Sequence, residues 1–241
     1  MRIAFICKRR YMGKDVVDDR YARLYEIPRQ LARLGHTVHG YCLGYQGQRE
    51  GVEAHQAAPG TLVWEMRSLR PAQAWRGLDY PRWLADRLRV FSPQLLIGAS
   101  DIPLVTLASW LAKRLHIPCA IDLYDNFESF GQARVPGMKT LLRRAVHRAQ
   151  LVTAISEPLR QWVISKYAPA GEVMTMPSTV NLELFRPYDR NHCRRRLGLP
   201  EQAVLIGTAG GLYRDRGIGT LYEAWRSLAA RHPSARLVLA G

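Results

Sequence analysis

The sequence predicts an α/β protein: a parallel sheet covered by helices, built in full once and then begun a second time. Three observations predict this. Short β-rich apolar runs alternate with segments of helical periodicity, the pattern of βαβ units. The apolar runs are nearly continuous, as expected for strands buried on both faces. A stretch rich in turn formers, Pro177–Tyr188, interrupts the alternation, after which a fresh cycle starts.

Taken in order, Arg2–Cys7 reads as the first strand, followed by a loop carrying Gly13. Asp19–Leu34 has helical spacing, with Leu24, Ile27, Leu31 and Leu34 on one face. Pro28 removes a helix hydrogen bond, so a kink or restart is expected there. Gly35 is a C-terminal cap and Thr37–Leu43 the second strand. Thr61–Met66 reads as a strand and Ala72–Phe91 as a helix broken at Pro81. Gln94–Ala99, Pro118–Leu123, Leu151–Ile155 and Glu172–Met176 continue the strands. Between them come helices Ile102–Leu115, Met138–Gln150 and Glu157–Lys166. Asp101 before Ile102-Pro103 reads as an N-cap. The second cycle is helix His192–Leu197, strand Ala203–Thr208, a glycine-rich loop, helix Ile218–His232 and strand Ala235–Ala240. The expected domains are 1–177, a linker 178–190, and an incomplete 191–241. One or two strands make no stable parallel domain alone, so a fragment of a longer chain is expected.

The chain of 241 residues carries 35 Lys+Arg against 20 Asp+Glu, a formal charge of +15. That balance attracts polyanions, anionic lipid or phosphorylated small molecules without choosing among them. Cys7, Cys42, Cys119 and Cys193 form no CxxC pair, and buried free thiols in a reducing cytosol are expected. Neither a signal peptide nor an apolar run long enough to span a bilayer is visible. His55, His147 and His192 lack metal-ligand spacing, so no metal site is expected, and His36 reads as a turn residue.

Several segments together resemble the family 4-like glycosyltransferases of the GT-B fold. These are Leu31–Tyr41 (LARLGHTVHGY), Ala149–Val163 (AQLVTAISEPLRQWV), Met176–Pro187 (MPSTVNLELFRP) and Arg195–Gly241. The resemblance covers nearly the whole chain. It implies a Rossmann-like acceptor-side domain, then the start of a nucleotide-sugar-binding domain. It also implies a retaining transfer from a nucleotide sugar to a glycan or lipid-linked acceptor, with the nucleotide sugar as co-substrate and no separate cofactor. A cytoplasmic setting, at surface polysaccharide or glycolipid assembly, comes from the resemblance alone. There are departures. Pro177 is followed by Ser178 and Thr179 where Asn-Gly is usual. Gly211 and Arg216 stand where the family commonly has Arg and Lys, and its paired-glutamate motif has no counterpart in residues 1–241.

Such a transfer builds charge on a departing diphosphate, which calls for hydrogen-bond donors and positive charge aimed at it. Gly210-Gly211-Leu212-Tyr213-Arg214-Asp215-Arg216-Gly217 supplies flexible backbone, two guanidinium groups and a helix start. Arg216 is the first candidate for the diphosphate and Arg214 the second. Gly210, Gly211 and Gly217 are the backbone candidates. The plain alternative is a glycine turn with solvated arginines. On the acceptor side, Lys8, Arg9, Arg10 and Gly13 follow the first strand, and Ser100-Asp101 follows Gln94–Ala99. Asp125, Asn126 and Glu128 follow Pro118–Leu123, where Asp122 adds a carboxylate. Asp125 is the candidate to orient or deprotonate an acceptor hydroxyl. Capping and loop solvation are the alternative there.

Two basic segments suit an anionic bilayer or simply a solvated helix face. Met138–Gln150 places Lys139, Arg143, Arg144 and Arg148 largely opposite its apolar side. Arg70–Arg89 mixes Arg70, Arg76, Arg82, Arg87 and Arg89 with Trp75 and Trp83. Specific nucleic-acid binding is the alternative raised by the charge, but no helix-turn-helix, RRM-like or zinc-finger pattern is present. A truncated, non-catalytic acceptor-side domain is another. A dinucleotide oxidoreductase is disfavoured, because the first strand leads into Cys7-Lys8-Arg9-Arg10-Tyr11-Met12-Gly13 rather than GxGxxG.

Overall fold

The computed structural model describes residues 1–69, 76–180, 182–183 and 185–241. It divides into two units, Met1–Thr179 and Val180–Gly241.

The first unit is an eight-stranded sheet. Its strands are β1 (Arg2–Lys8), β4 (Thr37–Gly44), β5 (Gly51–His55), β6 (Thr61–Ser68), β7 (Leu95–Ala99), β8 (Cys119–Leu123), β9 (Leu151–Ala154) and β10 (Glu172–Thr175). The order is β10-β9-β8-β7-β1-β4-β6-β5. Every pair is parallel except β5 with β6. The antiparallel edge strand β5 is absent from the sequence reading. Its burial is too slight to leave an apolar run, since Gly51, Val52 and Ala54 are exposed. Two further strands, β2 (Arg10–Tyr11) and β3 (Lys14–Asp15), form a small hairpin where a plain loop was expected.

The helices are α1 (Ala22–Arg33), α2 (Arg76–Phe91), α3 (Ile102–Leu115), α4 (Met138–Arg148) and α5 (Glu157–Tyr167). Neither expected break occurs: α1 runs through Pro28 and α2 through Pro81. Burial of Pro28, Leu24 and Tyr25 outweighs the one lost backbone bond. Asp101 accepts from the Leu104 N–H at 3.0 Å and caps α3 as expected. Ser156 does the same for α5.

The core is one cluster on the central strands. Phe5 and Ile6 of β1 are fully buried, as are Trp64 and Leu84. Trp64 stacks on Tyr25 at 6.1 Å and meets Phe5 edge-on at 6.4 Å. Its ring occupies the space above Gly40, where a Cβ would collide with it. Trp83 also packs inward, against Tyr80 and Tyr41, with Arg67 over its ring. Trp83 is thus partly buried against the core. Arg70, Ala72 and Trp75 lie outside the described residues. Cys7 and Cys42, taken singly in the sequence, are register partners on β1 and β4, with sulfurs 3.8 Å apart.

The second unit contains α6 (Arg190–Arg196), α7 (Ile218–Ala229) and the parallel pair β11 (Val204–Ala209) and β12 (Ala235–Ala240). Among its described residues only Ala203 and Ala235 are buried.

One buried ion pair ties α1 to the far half of the first unit. Arg23 binds Asp122 through Nε at 3.0 Å and Nη2 at 2.6 Å, while Thr153 donates to the same carboxylate at 2.7 Å. Arg23 Nη1 also donates to the Met176 carbonyl at 3.0 Å. Leaving Asp122 buried without its partner is expected to cost about 3–5 kcal/mol, whereas replacing both ions by leucine costs far less. Urea denaturation of Arg23→Met and of the double leucine variant measures this. Equal losses in the two would contradict it.

Candidate functional site

In an open parallel sheet, ligands bind beyond the carboxyl ends of the strands, where the connections diverge. Here that point lies at β1. The chain leaves β1 toward β4 on one side, and leaves β7, on its other side, toward β8. A depression of about 610 Å3 opens at this end. Lys8 ends β1, and Arg10 and Gly13 come from the hairpin. Tyr45, Gln46 and Gln48 follow β4, Asp101 follows β7, and Phe130, Gly131 and Gln132 follow β8.

The hairpin is held over the pocket by a buried cation. Arg9 is 1% exposed. Its Nε binds Asp15 at 2.7 Å, its Nη2 binds Asp18 at 2.9 Å, and its Nη1 donates to the Arg49 carbonyl. Arg49 in turn binds Asp18 and Glu53. This cluster folds residues 9–18 into a fixed wall. The sequence places Arg9 in the loop after the first strand, but nothing in the run Lys8-Arg9-Arg10 marks which cation is buried.

Lys8 sits among three rings, its ammonium 5.6 Å from Tyr11, 5.8 Å from Phe130 and 5.9 Å from Tyr124. Burial lowers its pKa, against the opposing attraction of Asp101. Burial likewise raises the Asp101 pKa, opposed by hydrogen bonds from the Leu104 N–H and the Tyr45 hydroxyl. The Tyr45 bond is 3.1 Å and leaves the phenol oxygen free to accept. Among the described residues, neither Lys8 nor Arg10 forms an ion pair; Arg10 donates only to Gln46, at 2.8 Å.

Of the residues the sequence places in loops at this end of the sheet, Lys8, Arg10, Gly13 and Asp101 line this pocket. Asn126 and Glu128 do not. Asn126 accepts from the Glu128 N–H at 3.0 Å and caps a short 3-10 turn. Glu128 accepts from the Tyr167 hydroxyl at 3.1 Å and lies 3.9 Å from Lys139. Asp122 is neutralised by Arg23. Asp125 alone of that group is exposed; among the described residues its carboxylate accepts only from the next backbone N–H, and it stands outside the pocket lining. Asp101, placed by the sequence in the loop after β7 and read there chiefly as a cap, lines the pocket as well; Tyr45 is a pocket residue that sequence reading left out.

In the second unit the glycine loop follows β11 and leads into α7. Gly210 has φ of 136° and Gly217 of 78°, conformations that disfavour a side chain. Gly217 is the N-cap of α7 and offers no side-chain cap, so the first N–H groups of the helix stay open to an anion. Arg214 and Arg216 lie in a 3-10 turn, exposed and without ion-pair partners among the described residues. A Cβ on Gly211 would press on the Tyr213 ring at 2.8 Å.

The model of the glycosyl transferase 4-like domain matches residues 22–179. The chain belongs to that family. It is 42% identical over 185 residues to the D-inositol 3-phosphate glycosyltransferase 1 of Catenulispora acidiphila, covering 68% of this chain and 42% of that protein. The chain spans less than half the length of the curated relatives it matches. Among solved structures, it is similar to sucrose-phosphate synthase from Thermosynechococcus elongatus. There the TM-score is 0.70 at 16% identity, over 100% of this chain and 62% of that one. It is also similar to Anabaena HepE in complex with UDP-glucose, with a TM-score of 0.63 at 17% identity, over 99% and 60% of the two chains. At such identity these likenesses show the fold alone, which is the GT-B class.

The hairpin wall carries a test of its own. In Arg9→Met the hairpin loses its anchor, and tryptic cleavage after Lys14 is expected to accelerate well before the core is cut. Mass spectrometry of the first fragments decides it; cleavage at the wild-type rate would show that the Asp15–Asp18 turn holds without Arg9.

Proposed function

We propose that this chain takes part in glycosyl transfer from a nucleotide sugar to a hydroxyl of an acceptor seated in the pocket at β1. The donor diphosphate binds the loop Gly210–Gly217 of the second unit. The observation that carries the reading is that loop, in a chain of this family. It sets Arg214 and Arg216, both unpaired among the described residues, beside the uncapped start of α7. Charge developing on a leaving diphosphate is stabilised by such preorganised donors. The nucleotide sugar is a co-substrate, and no metal is assigned. HepE was solved with UDP-glucose, which supports a donor of that class. Retention of configuration and a cytoplasmic setting rest on the resemblance.

The acceptor carries an anionic group, in keeping with a glycan or lipid-linked compound bearing phosphate or carboxylate. Lys8 and Arg10 supply positive charge without neutralising carboxylates bonded to them, and Phe130 and Tyr45 supply apolar surface for a ring. The relative from Catenulispora is named for D-inositol 3-phosphate, an acceptor chemistry of this type. Asp125, exposed beyond β8 and outside the pocket lining, orients a hydroxyl of the acceptor that extends past the pocket.

Calorimetry with UDP tests the donor half. Arg216→Ala is expected to weaken binding at least tenfold, the loss of about 1.5–3 kcal/mol from one charged hydrogen bond. Asp125→Asn leaves UDP binding intact and lowers turnover. Unchanged affinity in the first, or full turnover in the second, removes that residue from its role.

The acceptor half is read with D-inositol 3-phosphate against uncharged inositol. Lys8→Gln with Arg10→Gln is expected to abolish the preference for the phosphate. Because burial lowers the Lys8 pKa, the ammonium loses its charge as pH rises, beginning below the ordinary lysine range. Wild-type affinity for the phosphate therefore falls toward alkaline pH from that earlier point, and Lys8→Gln lacks this fall. A preference that survives both substitutions would sink the anionic-acceptor assignment while leaving the donor result standing.

A further inference from the structure

The backbone between β7 and α3 turns on an unusual residue. Among the described residues, seven besides glycine have a positive φ. Six of them lie between 45° and 56°, the ordinary left-handed well, and two of those, His116 and Ala168, are helix C-caps. Ser100 stands apart at 88°. Glycine adopts that angle without strain, whereas a residue with a side chain is held there only by its surroundings. Ser100 is also fully buried. A buried serine where glycine would fit more easily points to a use of the hydroxyl.

That hydroxyl has a specific partner. The pairing of β1 with β7 ends at Ile6 and Gly98. Two residues further along each strand, Ser100 Oγ accepts the Lys8 N–H at 2.8 Å. The Ser100 carbonyl accepts from the Tyr124 hydroxyl at 2.6 Å. One residue thus holds the main chain at the end of β1 and a ring just beyond β8. Burial raises the Tyr124 pKa, so its O–H stays a donor through the neutral range. The Tyr124 ring packs against Tyr11 at 4.9 Å and Phe127 at 5.2 Å. It is also one of the three rings around the Lys8 ammonium.

We propose that Ser100 is the positioning residue of the pocket cation: its hydroxyl fixes the main chain of Lys8, and its carbonyl fixes the ring beside the ammonium. The strained φ sets both acceptor atoms where these two partners reach them. Ser100 is fully buried and outside the pocket lining, so it acts through Lys8 and touches no acceptor. Its part in transfer rests on the reading of Lys8 as the cation for an anionic acceptor. The placement of the ammonium is measured without any acceptor.

NMR of the full chain with isotope-labelled lysine follows the Lys8 titration, its resonance assigned by its loss in Lys8→Gln. The wild-type midpoint is expected below the ordinary lysine range, because burial disfavours the ammonium. In Ser100→Ala, and in Tyr124→Phe, which removes a single O–H, the side chain is released toward water and the midpoint moves up toward that range. Circular dichroism checks that the variants fold. A residue that only shapes the β7–α3 turn would leave the midpoint in place, so an unchanged value in both folded variants overturns the proposal. Urea denaturation reads the strain. Ser100→Gly is expected to unfold at higher urea than Ser100→Ala, the reverse of the usual order, because only glycine relaxes at this φ. The usual order would show that no strain is held there and overturn that part. Calorimetry with D-inositol 3-phosphate reads the function. Ser100→Ala is expected to weaken binding about tenfold in the wild-type background and to cost nothing further beside Lys8→Gln. Equal loss in both backgrounds overturns action through Lys8. Failure of the wild-type chain to bind this probe counts against the anionic acceptor, while the Lys8 titration still decides the role of Ser100.

Discussion

The divergence of the chain at β1 is the constraint on which the site depends. A parallel strand needs a crossover to reach its neighbour, and crossovers are right-handed, so strands laid down in opposite directions from β1 send their connections apart. The space left between those connections cannot be filled by either. Lys8, Tyr45 and Asp101 come from three different strands and meet only because of this topology. The pocket is thus a product of strand order before it is a product of any side chain.

Charge is handled in two ways in the first unit. The deeply buried ions are paired or hydrogen-bonded: Arg9 with Asp15 and Asp18, Arg23 with Asp122, and Asp101 with a backbone N–H and a tyrosine hydroxyl. An unpaired ion at those depths would carry a desolvation cost that the fold could not carry. At the pocket the pattern reverses. Lys8 keeps its ammonium among rings and Arg10 keeps a neutral partner, so both hold binding capacity in reserve. Paired charge builds the wall, and unpaired charge faces what the wall encloses.

The parallel strands of the first unit were legible because each is a short apolar run, and their bounds fall within a residue or two of the sequence reading. The exceptions share a physical cause. β5 is a half-solvated edge strand, and the Arg10–Asp15 hairpin is held by charge instead of apolar burial, so neither leaves a hydrophobic trace. Pro28 and Pro81 read as breaks because local propensity argues so, yet packing decides the outcome. At the site, Lys8 and Gly13 were legible from strand ends. Asp101 was legible both at the carboxyl end of β7 and as a cap, and it fills both positions. Glu128 and Asn126 looked available in sequence, but Tyr167 and a backbone N–H lay too far along the chain, or too close, to be read as their partners.

The placement of the sulfurs has a practical consequence. Cys7, Cys42 and Cys119 are sealed inside the first unit, and burial pushes the Cys119 thiol up to about 12 and the Cys42 thiol well above its usual value. All three are shielded from maleimides by burial, and the raised values of Cys42 and Cys119 keep those two thiols protonated. Cys193, on α6, is partly accessible. The chain therefore carries a natural single attachment point for a fluorophore on its second unit, available without removing any native cysteine.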